Sequence, residues 1–507
     1  MALIDWSVVV AYFVVMLAIG WYYSRQKQSA EDYALGGRKI NPIMAGLSLF
    51  STLASTLTYL ATPSEIIGHG PMLLANIAAF PFIWLIVGWL LIPYLMKLPV
   101  TSAYEILEKK LGTRIRMAGA TLFVLLRLGW MSAILYASSS VVLIPLLQLD
   151  DSMTPLVCAV LGIITIVYSS EGGMKAVVVT DALQAIMMLA GAGATVLVIS
   201  SQLGGISEIF PKSLPTHWDP IVWGFDIKAR IAFLPYMLSV LLWYVCTNGS
   251  DQMSIQRFLS TRDAPTARRT LAVSLTSDTI VASLLAMTGL ALLSYYTKFP
   301  EQLPAGLTTA GNADRIFPIF IQQGMPFGIS GLVVAAILAA AMSSLSSGLN
   351  STSVVVERDF LQRWLRRHSG QQSDSVVPDP EESLRSVVRM KKLTVVIGVL
   401  AILLSIGNMF IQGNLLERCN KVVNLLTAPI FVLFFLALFI PWANAAGAWC
   451  SLIASIGVAI LVAYGHIEGL SPFWMTPVSL AVGIVVGVVV SGLASQTRQA
   501  SDVTSSS

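Results

Sequence analysis

Residues 50–63 read FSTLASTLTYLATP, an apolar run crowded with Ser51, Thr52, Ser55, Thr56, Thr58 and Thr62 and closed by Pro63. In hydrocarbon every backbone N–H and C=O must find a partner inside the protein, so an interrupted helix survives only where hydroxyls, neighbouring helices or a bound ion satisfy the freed groups. Proline removes one N–H and favours such an interruption. The run is therefore expected to belong to a membrane helix that unwinds part-way, as in transporters whose broken helices hold ion and solute at mid-membrane. A counterpart lies further along: WYVCTNGSDQMSIQR, from Trp243, sets Asn248, Gly249, Ser250, Asp251 and Gln252 in a row within or at the end of another apolar run.

The chain around these two runs has the composition of a membrane protein. It has 507 residues, 55% hydrophobic and 11% charged, with a mean hydropathy of +0.75, far from ordinary soluble domains. Stretches able to cross about 30 Å of hydrocarbon fall at roughly 6–24, 42–63, 72–96, 117–147, 153–169, 174–201, 231–250, 270–296, 329–356, 393–411, 422–440, 445–465 and 474–495. These give an all-α polytopic protein of about 13 transmembrane helices. The first run lacks a basic leading region and a cleavage site, so it is expected to be a retained span.

The interrupted runs are the second and seventh spans. Five apart, they suggest two five-helix repeats of opposite topology. The division that follows is 1–41 for an extra N-terminal helix and cytoplasmic loop, 42–230 for the first repeat and 231–440 for the second. Two C-terminal helices then occupy 441–495, and 496–507 is a polar tail with the composition of disorder. The segment 357–392 within the second repeat has too few apolar residues to bury a core and reads as a cytoplasmic connector.

Lys and Arg between the spans divide 23 against 7, the richer side including Lys27, Lys175, Arg257 and the connector, the poorer side Lys228 and Arg230. By the positive-inside rule the richer side is cytoplasmic, which puts the N-terminus outside and the C-terminus inside. A net charge of +4 spread over short loops gives no support for nucleic-acid binding. Cys158, Cys246, Cys419 and Cys450 are far apart, and His69, His217, His368 and His466 lack ligand spacing, so neither a disulfide framework nor a zinc site is suggested.

The polar groups inside the spans carry the functional reading. AAAMSSLSSGLNS, from Ala339, places Ser343, Ser346 and Ser347 on one helical face with Ser344 beside it. Such hydroxyls either surround a hard cation or belong to a small-residue packing face. Asp181, early in the sixth span, either pairs a cation or is solvated near the cytoplasmic side or paired with Lys175. Arg127 lies deep in the fourth span, placed to bind an anionic group of a solute, to pair with Asp251 or Asp278, or to snorkel toward the interface. Asp251 itself either binds solute or caps the break. No paired acids or nucleophile–base arrangement lies at membrane depth, so an enzyme is not expected.

Several stretches in register, AEDYALGGRKINPIMAGLSLFST, VTSAYEILEKKLG, EGGMKAVVVTDALQ, SDQMSIQRFLS and AAAMSSLSSGLNS, resemble the sodium:solute symporter family, with PIFVLFFLALFIPWANAAGA more loosely similar. The resemblance implies a leucine-transporter-like pair of inverted five-helix repeats. It also implies a sodium site built from the carbonyls of Ser51, Ala54 and Ala340 and the hydroxyls of Ser343 and Ser344. A second sodium site, as in members resembling sialic acid transporters, maps onto Asp181, Ser343, Ser346 and Ser347. Where those members place a carboxylate-binding arginine this chain has Trp130, with Arg127 one turn earlier, and where sugar-transporting members use an asparagine it has Asp251. The solute is thus expected to be a small hydroxylated or carboxylated molecule (sugar, polyol, sialic acid or other carboxylate) near Ser55, Thr58, Arg127, Asp251 and Gln252. The expected activity is sodium-coupled symport across a cell membrane, its partners sodium, the solute and the bilayer, with no obligatory protein partner. A solute-gated channel or receptor on the same helices is the alternative.

Overall fold

The structure is a computed structural model of the chain that describes residues 2–26, 28–98, 100–226, 229–369, 380–410, 415–465 and 471–505. Among them there are helices and no strands. Among the described residues eight helices are long and apolar enough to span a membrane, and a further pair, Pro42–Leu53 and Thr56–His69, does so jointly with a bend of 67°. With no water in the bilayer core, only such internally bonded segments cross it.

Local chemistry sets the helix ends. Asn41 caps Pro42–Leu53 through the N–H of Ile43, with proline at the first helical position where its missing N–H costs nothing. The helix stops at Ala54 and Ser55, both extended, and Ser55 caps the second half by accepting from the N–H of Thr58. Pro63 does not mark the break; it sits inside Thr56–His69. The second interruption falls at Asp251, extended between Phe233–Ser250 and Gln252–Leu259, whose carboxylate accepts from the N–H of Met253 at 2.8 Å.

Thr154–Leu203 is turned at Gly173, which has φ +59°. A side chain there would lie 2.8 Å from Gln28 and 3.0 Å from the carbonyl of Tyr33 as well as in the left-handed region, so glycine is required twice over. This kinked helix runs along Ile329–Val355, the serine helix, which is buried over almost its whole length at the centre of the bundle. Pro42–Leu53 and Leu3–Ser24 pack on the same pair. Asp5 fixes the N-terminal end of the serine helix, accepting from the N–H of Gly328 (2.6 Å), the N–H of Gly331 (3.2 Å) and the Ser330 hydroxyl (2.6 Å).

The connector departs from the sequence reading. The serine helix continues through Val356–Leu361 and Gln362–Ser369, and a new helix starts at Pro380, so helix occupies much of 357–392. Its acidic residues explain this: Glu357 and Asp359 are wholly buried, paired with Arg389 and Arg116. Residues 370–379 lie outside the described residues, as do Lys27, Lys228 and His466. The last helix, Met475–Ser505, runs on through most of the stretch read as a disordered tail, of which Ser506 and Ser507 lie outside the described residues.

Candidate functional site

The break at Ala54 and Ser55 frees backbone carbonyls that a continuous helix would occupy. Two serines of the serine helix meet them. Ser343 donates to the carbonyl of Ser51 at 2.7 Å and to that of Ala340 at 3.2 Å. Ser344 donates to the carbonyls of Thr52 at 3.0 Å and Ala54 at 3.1 Å. Ser51, Ala54, Ala340, Ser343 and Ser344 are therefore brought together, all buried, with the Thr52 carbonyl as a further oxygen the sequence reading did not name. Every group in this cluster is an uncharged oxygen. Hydroxyls rotate freely enough to turn a lone pair where a proton now points, so the set fits a hard monovalent cation.

One turn further along the same helix the polar partners change. Asp181 is wholly buried, which overturns the solvated reading, and Lys175 pairs with Asp32 instead, at 3.4 Å. Asp181 accepts from Ser48 (2.7 Å), Ser347 (2.9 Å) and Ser346 (3.2 Å), so the sequence-named acid and serines do converge. A guanidinium joins them. Arg257, 1% exposed, pairs with Asp181 at 3.1 Å and donates to Ser48, Ser347 and the carbonyl of Met253. Charge counting had put Arg257 among the cytoplasmic loops; it is instead fully buried in the bundle because Gln252–Leu259 is buried on all sides. The available signal was its place a turn and a half past the Asp251 break, within an apolar-flanked segment.

The expected solute residues divide. Ser55, Thr58 and Arg127 line one cavity of about 450 Å³, together with Trp130, Asn76, Tyr236, Trp243 and Thr247. Arg127 and Trp130 share that wall, as one-turn spacing requires. Asp251 is not in the lining but forms an ion pair with Arg127, and Phe123 lies 5.7 Å from the guanidinium. In this structure Asp251 holds Arg127 and caps the break at once. Asp278 is engaged by the Tyr244 hydroxyl. Gln252 departs from the expectation. Its amide accepts from the N–H of Ala103 (2.8 Å) and donates to the carbonyl of Thr101 (2.9 Å), fastening the helix start to a loop rather than facing the cavity.

The cavity reaches the surface where Arg230 is paired with Glu65 and with Asp219, the latter at 2.8 Å. At the other end of the bundle Arg116 joins Glu108 and Asp359, each at 2.6 Å, and Arg363 also reaches Glu108 at 2.6 Å.

Residues 33–455 match the model of the sodium:solute symporter family. The sodium/sialic acid symporter SiaT of Proteus mirabilis is 30% identical over 98% of this chain and 97% of its own length. The human sodium-coupled monocarboxylate transporter 1 is 27% identical over 91% of this chain and 73% of its own. A solved Na+-coupled sialic acid symporter, in a substrate-bound outward-open state, superimposes with a TM-score of 0.82 at 28% identity, covering 97% of this chain and 98% of that one. Mhp1, a nucleobase-cation-symport-1 family transporter, shares the fold alone, with a TM-score of 0.55 at 12% identity over 93% of this chain and 96% of its own. All four are symporters or transporters by description, which leaves the channel or receptor alternative without support.

Proposed function

The chain belongs to the sodium:solute symporter family and is a multi-pass, sodium-coupled transporter rather than an enzyme, and from that premise we propose that it imports a small polar organic solute by alternating access. The observation that carries this is the meeting of Ser343 and Ser344 with the carbonyls of Ser51 and Ala54 at 2.7 and 3.1 Å, from helices remote in sequence. Sodium takes its place among Ser51, Ala54, Ala340, Ser343 and Ser344, holding the broken helix in the shape that presents Ser55 and Thr58 to the cavity. Linkage makes the effect reciprocal, so bound solute tightens sodium binding.

A second sodium is assigned to Asp181, Ser343, Ser346 and Ser347. Because Arg257 already gives Asp181 a counter-charge, that ion must share the carboxylate with the guanidinium or displace it. The architecture that supports the cycle is about thirteen spans with the two broken helices leading inverted five-helix repeats over 42–230 and 231–440. The N-terminus is then outside, and the cavity opens outward at Arg230. The solute is a sugar, polyol, sialic acid or other carboxylate, bound near Ser55, Thr58 and Arg127.

A thermal-shift panel on purified protein, with sodium and with choline in its place, tests this against sugars, polyols, sialic acids, monocarboxylates and amino acids. Stabilisation by one class that grows with sodium is expected. A panel in which no solute responds to sodium, together with liposome uptake unaffected by choline replacement, overturns the proposal.

A further inference from the structure

We propose that the solute accepted by this cavity is uncharged and hydroxylated, and that the Arg127–Asp251 ion pair is what turns carboxylates away, a reading that rests on the transport function above and narrows its solute class. Among the described residues the cations lining the cavity are Arg127 and Arg230. Each has a counter-charge, although the Nε–H of Arg127 is buried without a hydrogen-bond partner. Arg127 is held by Asp251, both less than a tenth exposed, and Arg230 by Glu65 and Asp219. Three carboxylates therefore stand against two guanidinium groups, and His69, 3.2 Å from Asp219, offsets the excess only when protonated.

Asp251 has little freedom to release Arg127. One carboxylate oxygen accepts from the N–H of Met253 and caps Gln252–Leu259, while the other faces the guanidinium. An incoming carboxylate has two routes to Arg127. It displaces Asp251, leaving a buried carboxylate without a counter-charge, or it sits beside Asp251 as a second anion on one guanidinium; both oppose binding. A cationic solute meets Arg127 in the wall and gains nothing there.

What remains of the lining suits a neutral, hydroxyl-rich molecule. Ser55, Thr58, Asn76 and Thr247 supply uncharged donors and acceptors, and Trp130 and Trp243 supply flat faces on which the C–H surface of a sugar or polyol ring rests. About 450 Å³ holds one such ring with water to spare.

Matched pairs that differ by CH2OH against carboxylate decide the matter: glucose with glucuronate, and galactose with galacturonate, in saturating sodium, read by competition for uptake and by thermal shift. For at least one pair the neutral member is expected to bind wild-type protein roughly tenfold tighter or more than its acidic partner. Asp251→Asn keeps an oxygen for the cap and removes the charge, so the ratio is expected to move about tenfold or more toward the acidic member. A wild-type preference for the acidic members overturns the proposal while leaving sodium-coupled transport intact. An unchanged ratio in folded Asp251→Asn protein removes Asp251 as the cause. If that variant does not fold, the wild-type ratios decide alone. Sodium-independent responses to every solute count against the transport reading instead, and so are told apart.

Discussion

At Ser343 and Ser344 the serine helix meets only uncharged oxygens, the carbonyls of Ser51, Thr52 and Ala54, whereas one turn on, at Ser346 and Ser347, it meets the Asp181 carboxylate already paired with Arg257. Both clusters are buried and both draw on the same run of hydroxyls. They differ in the source of positive charge. On the proposed assignment, a cage of neutral oxygens gains its full coordination only when a mobile cation arrives, so its occupancy would follow sodium concentration and report it to the broken helix. A cage with a built-in guanidinium already holds a counter-charge before any sodium arrives, so an ion there has less to add, and its hydrogen bonds tie four helices together.

The largest expected effect therefore lies in the neutral cage. Ser343→Ala or Ser344→Ala removes a hydroxyl contact to an ion, about 1.5–3 kcal/mol or roughly ten- to a hundredfold in sodium affinity. Sodium-dependent uptake should fall to background at ordinary sodium concentrations, with the melting temperature in choline little changed. Uptake with normal sodium half-saturation in both variants removes the site and with it the contrast between the clusters.

The charged cage should respond in the opposite currency. Asp181→Asn leaves Arg257 buried without its carboxylate, a defect of about 3–5 kcal/mol that appears as a lower melting temperature with or without sodium. Pairing it with Arg257→Met restores much of that loss, since replacing both members of a buried pair is far milder than removing one. Uptake measured against sodium then sharpens the comparison. If the second ion shares Asp181, the Hill coefficient falls from above one to one in Asp181→Asn; a coefficient of one in both proteins leaves Asp181 as a structural partner of Arg257 alone.

Much of this contrast was legible before any coordinates. The density of Ser and Thr over 50–63 marks a helix that needs hydroxyls to survive interruption, and the offsets of Ser343, Ser344, Ser346 and Ser347 fix a common face by helical period alone. What the sequence could not supply was which distant group each hydroxyl meets. The break sits at Ala54 because that is where Ser344 waits, not where Pro63 loses its N–H. Arg257 was counted as a loop cation because charge counting reads neighbours along the chain, whereas its burial comes from helices around it. Gln252 shows the same limit at one residue's distance: at the start of a helix adjacent side chains diverge, so Asp251 faces Arg127 while its neighbour turns to Thr101.

A third cluster, pre-paired like the Asp181 cage but partly open to water, checks whether burial is what separates large effects from small ones. Glu108 is 29% exposed in its side chain and is gripped by Arg116 and Arg363. Burial pushes its carboxyl up, but hydrogen bonds from Arg363, Thr113 and Arg116 more than offset this and hold it at about 2. A depressed carboxyl contributes stability that is present above the ordinary glutamate range and is lost as pH falls toward its folded value. Solvent screening keeps that contribution to about 1 kcal/mol. Glu108→Gln should thus melt slightly below wild type at pH 7, the gap narrowing as pH drops from about 4.5 toward 2 and shrinking with added salt. A deficit as large as that of Asp181→Asn, or one that persists in acid, would mean that pairing rather than burial sets the scale, and the distinction between the two inner cages would have to be redrawn on geometry instead of desolvation.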